Sequence, residues 1–175
     1  MMFEKYSSHS PTHKKPMTLA FAFSSLSHMI ATFFGAGVLR PASGTWGSLA
    51  ALLVYMALEN IIPWLGWVCL IIVCFFAGVA VSETTGNDIG VHDHSSIVID
   101  EVFAVWAVLL TVPSIWEWQF AAFGAFRFFD IVKIPPAKWF DTGKQWQNGW
   151  GVMLDDAVAA IQAIVALYLI QIIIS

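Results

Sequence analysis

Two pairs of adjacent carboxylates stand a few residues inside apolar runs of the sequence. Asp100 and Glu101 lie a few residues into one such run, and Asp155 and Asp156 lie a few residues into another. Neighbouring negative charges repel each other unless a positive charge lies between them, and Mg²⁺ prefers a few carboxylate oxygens together with water and phosphate. The two pairs therefore predict a divalent-cation site. The alternative interpretation is that they are helix N-terminal charges favoured by the helix dipole.

A fifth carboxylate, Asp130, lies between two cationic residues. Arg127 and Lys133 stand three residues before and three residues after it, a spacing that puts all three near one face of a helix. Arginine offers a bidentate fork to a phosphate and lysine offers a point charge. The pattern predicts a third metal carboxylate beside two phosphate-binding side chains. The alternative is a structural ion-pair cluster at a membrane boundary.

Two loops add weaker signals. The segment 44–48 contains Thr45 between two glycines and Ser48 directly after the second. It is typical of a turn that binds phosphate at a helix start, although an ordinary N-cap has the same composition. The triplet 92–94 reads His-Asp-His. It lacks the further Cys or His ligands of a zinc site, and Asp93 is its candidate for assisting proton transfer.

The composition excludes most other classes of protein. Of 175 residues, 58% are hydrophobic and 11% are charged, and the mean hydropathy is +0.73, against about 45–50% and about 25% in a soluble domain. Eight Lys and Arg face twelve Asp and Glu without a basic stripe, which argues against binding nucleic acid. We expect a polar cytoplasmic tail over 1–16 and one membrane-embedded domain over 17–175.

The apolar runs predict an all-α bundle of about six helices, because none shows the period-two alternation of a membrane strand. The runs of 64–81 and 152–174 meet the length of about 20 residues that a spanning helix needs. The first run is interrupted by serines and His28, and we expect it to be interfacial or re-entrant. That first run covers 17–39. We expect the other five runs to span the membrane, and they cover 46–62, 64–81, 97–112, 115–129 and 152–174.

Charge predicts the orientation of the bundle. If the first run does not cross, all eight Lys and Arg lie on one side of the membrane, and the positive-inside rule makes that side the cytoplasm. The C-terminus then lies outside. The same cytoplasmic side receives all four segments rich in polar residues, which are 44–48, 92–101, 127–141 and 148–156.

Taken together, these segments resemble the phosphatidylglycerophosphatase A family from about residue 30 to the C-terminus, in order and at matching spacing. The resemblance implies an all-α, Mg²⁺-dependent lipid phosphatase of the bacterial cytoplasmic membrane that converts phosphatidylglycerophosphate to phosphatidylglycerol. Its motifs are GTWGSL at 44–49, HDHSSIVIDE at 92–101, FRFFDIVK at 126–133, WFD at 139–141 and GWGVMLDD at 149–156.

The resemblance carries the family's functional pattern to eight positions: Asp93, Asp100, Glu101, Arg127, Asp130, Lys133, Asp155 and Asp156. We expect Mg²⁺ on the five carboxylates other than Asp93, and the phosphate on Arg127 and Lys133 with Thr45 and Ser48. Attack by water and an aspartyl-phosphate intermediate both stay open. The sequence departs from the family pattern at Arg40, Ser43 and Ile134, where prolines are common.

Two other classes of protein are alternatives. A small membrane cation transporter or channel also uses intramembrane carboxylates, although it would usually place them near the midplane with access from both sides. A purely structural membrane subunit would need neither carboxylate pair. Loss of turnover with an intact fold on neutralising Asp100 would distinguish an enzyme from a structural protein.

Overall fold

Every regular element in the described part of the chain is helical, as the apolar runs predict. The computed structural model describes residues 15–135 and 146–174, so most of the predicted tail and the WFD motif lie outside the described residues. Seven α-helices are present there. They are α1 Leu19–Ala22, α2 Leu26–Ala31, α3 Ser43–Leu58, α4 Trp64–Ile89, α5 Ile99–Leu109, α6 Trp116–Val132 and α7 Gly149–Ile174.

The first apolar run is not one helix, which corrects the expected number of about six. It forms α1 and α2, followed by a short 3₁₀ helix at Ala36–Val38. The hydroxyls of Thr18 and Ser25 accept hydrogen bonds from backbone N–H groups of α1 and α2, each at 3.2 Å, and so cap the helix starts. Each piece is far shorter than the about 20 residues that cross a bilayer.

A polar contact attaches this broken segment to α4. His28 is buried, and its Nε2 lies 2.8 Å from Asp88 Oδ2 at the end of α4. The imidazole also stacks on the Phe21 ring, with 4.2 Å between ring centroids. The first run is therefore folded back against the bundle.

Within residues 15–135 and 146–174, two helices, α4 and α7, meet the length and hydropathy of a membrane span. Each has 26 residues and is about 39 Å long. Only 28% and 22% of the residues in their most apolar windows are buried within the protein, and large apolar side chains such as Val73 on α4 and Ile161 on α7 are exposed. Exposed apolar surface on this scale is typical of contact with a membrane or a partner.

The other three expected spans are shorter than the about 20 residues that a helix needs to cross a bilayer. Helices α3, α5 and α6 have 16, 11 and 17 residues, so five spans are not confirmed. The largest difference is α5, which is buried along its length, Ala107 alone being half-buried. It contacts α3, α4, α6 and α7. A run of apolar residues that is hydrophobic on all sides is typical of a helix buried in a core.

Aromatic packing fixes α5 in this central position. The Trp106 indole N–H donates to the Ala51 carbonyl of α3 at 2.9 Å. Its ring packs edge-on against Trp67 of α4 at 5.5 Å and Phe33 at 6.0 Å between centroids. The first turn of α5, with Asp100 and Glu101, therefore lies at a fixed place at one end of the bundle.

The loop that precedes α5 packs closely on the end of α2 and on the 3₁₀ helix. The Val98 N–H donates to the Ala31 carbonyl at 2.9 Å. A Cβ atom on Gly37 would lie 2.2 Å from the Ser96 carbonyl oxygen, which is closer than real Cβ atoms approach an oxygen. Gly37 is therefore required for this contact.

We expect Gly37→Ala to lower the free energy of unfolding by roughly 1–3 kcal/mol, the usual cost of overpacking. The matched control is Gly124→Ala on α6, where an added Cβ would meet nothing within 4 Å and alanine improves the helix by about 0.5–1 kcal/mol. Thermal unfolding of both variants in one detergent measures the difference. Equal stability of the two variants would contradict the close packing.

Candidate functional site

Arg127 on α6 joins three helices through buried polar contacts. Its Nη1 donates to Glu101 Oε1 on α5 at 2.9 Å and to Asp130 Oδ2 at 2.6 Å. Ser48 Oγ on α3 lies 3.5 Å from the same nitrogen. The side chains of Arg127, Glu101 and Asp130 are 9%, 8% and 11% exposed. The structure therefore brings together four of the residues that sequence analysis singled out.

Lys133 joins α6 to α7. It caps the C-terminus of α6 in a left-handed conformation, with φ at +48°, and its ammonium forms an ion pair with Asp155 Oδ2. A left-handed residue turns the chain away from the helix axis. The turn places the lysine beside the second turn of α7, which carries Asp155 and Asp156.

The remaining carboxylates gather around Asp156. Its side chain is buried, and the negative charges of Asp130, Asp100, Asp155 and Glu101 all act on it. Five carboxylates therefore lie within range of electrostatic interaction at this end of the bundle, and three of them pair with Arg127 and Lys133. Negative charge is in excess, and a cation or a proton would relieve the repulsion.

The oxygens of this carboxylate cluster suit a hard cation. The buried Asp156 Oδ2 accepts no hydrogen bond within the described structure. Residues 15–135 and 146–174 contain no group of three or more Asp, Glu, His or Cys arranged to hold a metal ion. Mg²⁺ is usually bound by one or two carboxylates with water and substrate phosphate, not by a cage of protein ligands. A Mg²⁺ ion here would therefore use one or two of these carboxylates together with water and phosphate.

The first turn of α3 packs directly on Glu101. A Cβ atom on Gly44 would lie 2.0 Å from Glu101 Oε1 and 3.1 Å from Arg127 Nη1, so only glycine leaves room for the carboxylate. Ser43 Oγ donates to the Ser95 carbonyl at 2.5 Å. Thr45 is half-buried in the same turn. The predicted phosphate-binding turn therefore lies beside the cluster.

One residue of the His-Asp-His triplet, His94, stabilises the fold through buried hydrogen bonds. His94 is fully buried; its Nδ1 accepts from the Ser96 N–H at 3.1 Å and its Nε2 lies 2.9 Å from the Lys15 carbonyl. These partners assign a neutral imidazole with the proton on Nε2. His92 is exposed and Asp93 is half-buried. The role of Asp93 in proton transfer stays a prediction.

Comparison with known proteins gives one consistent family. The family model described as phosphatidylglycerophosphatase A matches residues 29–171. A phosphatidylglycerophosphatase A of Haemophilus influenzae is 43% identical over 145 residues, covering 82% of this chain and 88% of the relative. The phosphatidylglycerophosphatase A of Escherichia coli is 36% identical over 161 residues, covering 91% and 92%.

A third relative has a different name. This Bacteroides thetaiotaomicron protein, named provisionally as a phosphatidylinositol-3-phosphatase, is 36% identical over 144 residues, covering 78% of this chain and 88% of the relative. No solved structure matches the chain significantly.

Sequence reasoning missed Glu83, which positions the helix that carries two of the carboxylates. Its Oε2 accepts from the Gly149 N–H, the first of α7, at 2.6 Å. A Cβ on Gly149 would lie 2.1 Å from the Val79 carbonyl oxygen, so the two helices touch there. A carboxylate at a helix N-terminus satisfies an amide and complements the dipole. The only signal in the sequence is a glutamate just after the 64–81 run.

We expect Glu83→Ala to lower the free energy of unfolding by about 0.5–2 kcal/mol, the range measured for lost N-caps. Glu83→Gln keeps an acceptor and should lose less. The neighbouring Thr84→Ala is the control, because Thr84 is exposed and its hydroxyl donates to the Ala80 carbonyl of its own helix. Chemical unfolding of the three variants tests this order, and identical stability of Glu83→Ala and wild type would disprove the cap.

Proposed function

The chain belongs to the phosphatidylglycerophosphatase A family, a family of phosphoric monoester hydrolases, and we propose that it converts phosphatidylglycerophosphate to phosphatidylglycerol. The observation that carries the proposal is the carboxylate cluster around Asp156 with two cationic side chains beside it. The matched region, 29–171, includes every residue of that cluster. Removal of a terminal phosphate needs positive charge, because the phosphoryl group carries negative charge throughout the reaction. The two cationic side chains would supply part of that charge, and a metal ion held by the carboxylates would supply the rest.

Arg127 and Lys133 are the proposed phosphate-binding side chains. In the structure, Glu101 and Asp130 hold the guanidinium and Asp155 holds the ammonium. A substrate phosphate would compete with these carboxylates for the two cations. The competition favours a dianionic phosphate over a singly charged phosphodiester. Thr45 and Ser48 would add hydroxyl contacts from the first turn of α3.

Mg²⁺ is the proposed cofactor, held by a subset of Asp100, Glu101, Asp130, Asp155 and Asp156. Bound there, it would supply positive charge to the transferring phosphoryl group and acidify a nearby water. The carboxylates released from Arg127 and Lys133 by the substrate would be free to serve as ligands. Binding of the substrate would therefore increase the affinity for the metal ion, and binding of the metal ion would increase the affinity for the substrate.

The hydrolysis itself exchanges one bond to phosphorus for another. Water attacks the phosphorus, the bond to the glycerol oxygen breaks, and that oxygen takes up a proton. Asp93 is the proposed base that receives the proton of the attacking water. Attack by an aspartate and hydrolysis of the resulting acyl phosphate is the alternative route.

We place the enzyme in the bacterial cytoplasmic membrane as a multi-pass protein whose site faces the cytoplasm. The exposed apolar side chains of α4 and α7 support the membrane location. The orientation rests on the five-span arrangement predicted from the sequence, which puts all eight Lys and Arg on one side. The acyl chains of the substrate would then stay in the bilayer while the headgroup meets the charged end of the bundle.

Phosphate release from phosphatidylglycerophosphate in detergent micelles tests the proposal. We expect release with Mg²⁺, none with EDTA, and a loss on the order of a hundredfold or more in kcat for Asp156→Asn, comparable to removing one electrostatic catalytic group. Glu117→Gln is the matched control, because Glu117 is exposed in the first turn of α6, at the other end of that helix from Arg127. Its activity should equal that of wild type.

Three outcomes would contradict the proposal at different points. Hydrolysis of phosphatidylinositol 3-phosphate without hydrolysis of phosphatidylglycerophosphate would reject the substrate. Full activity in EDTA would reject the metal. Cation flux through proteoliposomes in the absence of any phosphatase activity would favour the transporter alternative.

A further inference from the structure

We propose that a groove between α6 and α7 binds one fatty acyl chain of the lipid substrate. The inference rests on the proposed function, because it takes the substrate to be a phospholipid. The groove has a volume of about 340 Å³. Its apolar lining comes from Phe129, Ile134, Ile161, Val165, Ala166 and Leu169.

One end of the groove adjoins the candidate site. Ile134 directly follows Lys133, whose ammonium pairs with Asp155, and Phe129 lies one turn before Lys133 on α6. The headgroup-binding lysine and the groove therefore share one turn of the chain. A phospholipid with its phosphate near Lys133 would have its glycerol backbone close to this end.

A polar contact holds the wall of the groove in place. Gln162 on α7 donates from Nε2 to the carbonyls of Ile134 and Pro135, at 3.0 and 3.3 Å. These bonds fix the segment after Lys133 against α7. The amide donors of Gln162 are therefore used within the protein, and the rest of the lining is apolar.

The groove leads away from the charged cluster along a helix apolar enough to cross a membrane. Ile161 lies six residues after Asp155, about 9 Å along α7, and Leu169 lies about 12 Å farther. Val165 and Leu169 are 53% and 54% exposed, so the groove opens to the side. An acyl chain could enter from the bilayer and run in the direction that a lipid tail takes from its headgroup.

The groove would orient the substrate for reaction more than it would increase the affinity of the protein for the lipid. Lipid tails are as apolar as leucine, so moving an acyl chain from the bilayer into the groove gains little hydrophobic free energy. Holding the chain would fix the headgroup beside Lys133, and fixed orientation accelerates a reaction. The structure therefore predicts a dependence of kcat/KM on acyl-chain length.

Filling the groove tests this prediction. Ala166→Trp should lower kcat/KM for dioleoyl phosphatidylglycerophosphate at least tenfold and leave kcat/KM for the dihexanoyl lipid within twofold of wild type, both in the same micelles. Ile173→Trp is the matched control. Ile173 is 81% exposed on α7 and lies outside the groove, so both substrates should react as with wild type.

Photo-cross-linking tests the groove without relying on turnover or on the folding of a variant. A phosphatidylglycerol analogue with a diazirine near the end of one acyl chain is added to the wild-type protein in micelles. Adducts concentrated on residues 161–169 and on Phe129 are expected. Equal labelling of the outward face of α4 would overturn the inference.

The kinetic outcomes separate the two proposals. An equal loss for both substrates in a folded Ala166→Trp variant, or no loss for either, would overturn the groove. Wild-type protein that hydrolyses neither substrate would overturn the proposed function, and the cross-linking pattern would then decide the groove alone.

Discussion

The burial of the Arg127 guanidinium between Glu101 and Asp130 is the interaction on which the rest of the site depends. Removing a charge from water costs several kcal/mol, and only close partners offset that cost. The three side chains come from α5 and α6, and the first turn of α3 covers them with Gly44, where any side chain would displace the Glu101 carboxylate. The relative positions of α3, α5 and α6 therefore depend on the contacts of the Arg127 guanidinium.

The same constraint extends to α7 and explains why the charges gather at one end. Lys133 reaches Asp155, and Glu83 of α4 holds the first amide of α7. Both contacts place Asp155 and Asp156 at the same end of the bundle as the α5 and α6 carboxylates, while α4 and α7 also carry exposed apolar side chains. A charged cluster close to exposed apolar surface suits the proposed lipid substrate, whose headgroup is charged and whose acyl chains are apolar.

Much of the fold and of the site could be predicted from short-range patterns. The apolar parts of α4 and α7 follow from continuous apolar runs, although α4 continues eight residues beyond the predicted 64–81. The pairing of Arg127 with Asp130 follows from a spacing of three residues on one helix. The gathering of the other carboxylates was suggested by their common position at one side of the predicted bundle.

Other features depend on tertiary contacts that a sequence does not encode locally. Helix α5 has the composition of a span but is an 11-residue core helix, because α3, α4, α6 and α7 surround it. The first apolar run is divided into short helices with capping hydroxyls from Thr18 and Ser25. The cations that pair with Glu101 and Asp155 are Arg127 on α6 and Lys133 at its C-terminal cap, more than twenty residues away in the chain. Glu83 accepts from the first amide of a helix that begins 66 residues later.

A double-mutant cycle between Arg127 and Glu101 tests the central constraint most directly. The free energy of unfolding is measured in mixed micelles for wild type, Arg127→Met, Glu101→Gln and the double variant. Arg127→Met alone should cost about 3–5 kcal/mol, because it leaves a buried carboxylate without its cation, and Glu101→Gln in that background should recover part of the loss. Additive effects, within about 0.5 kcal/mol, would show that the two side chains do not depend on each other and would contradict the account.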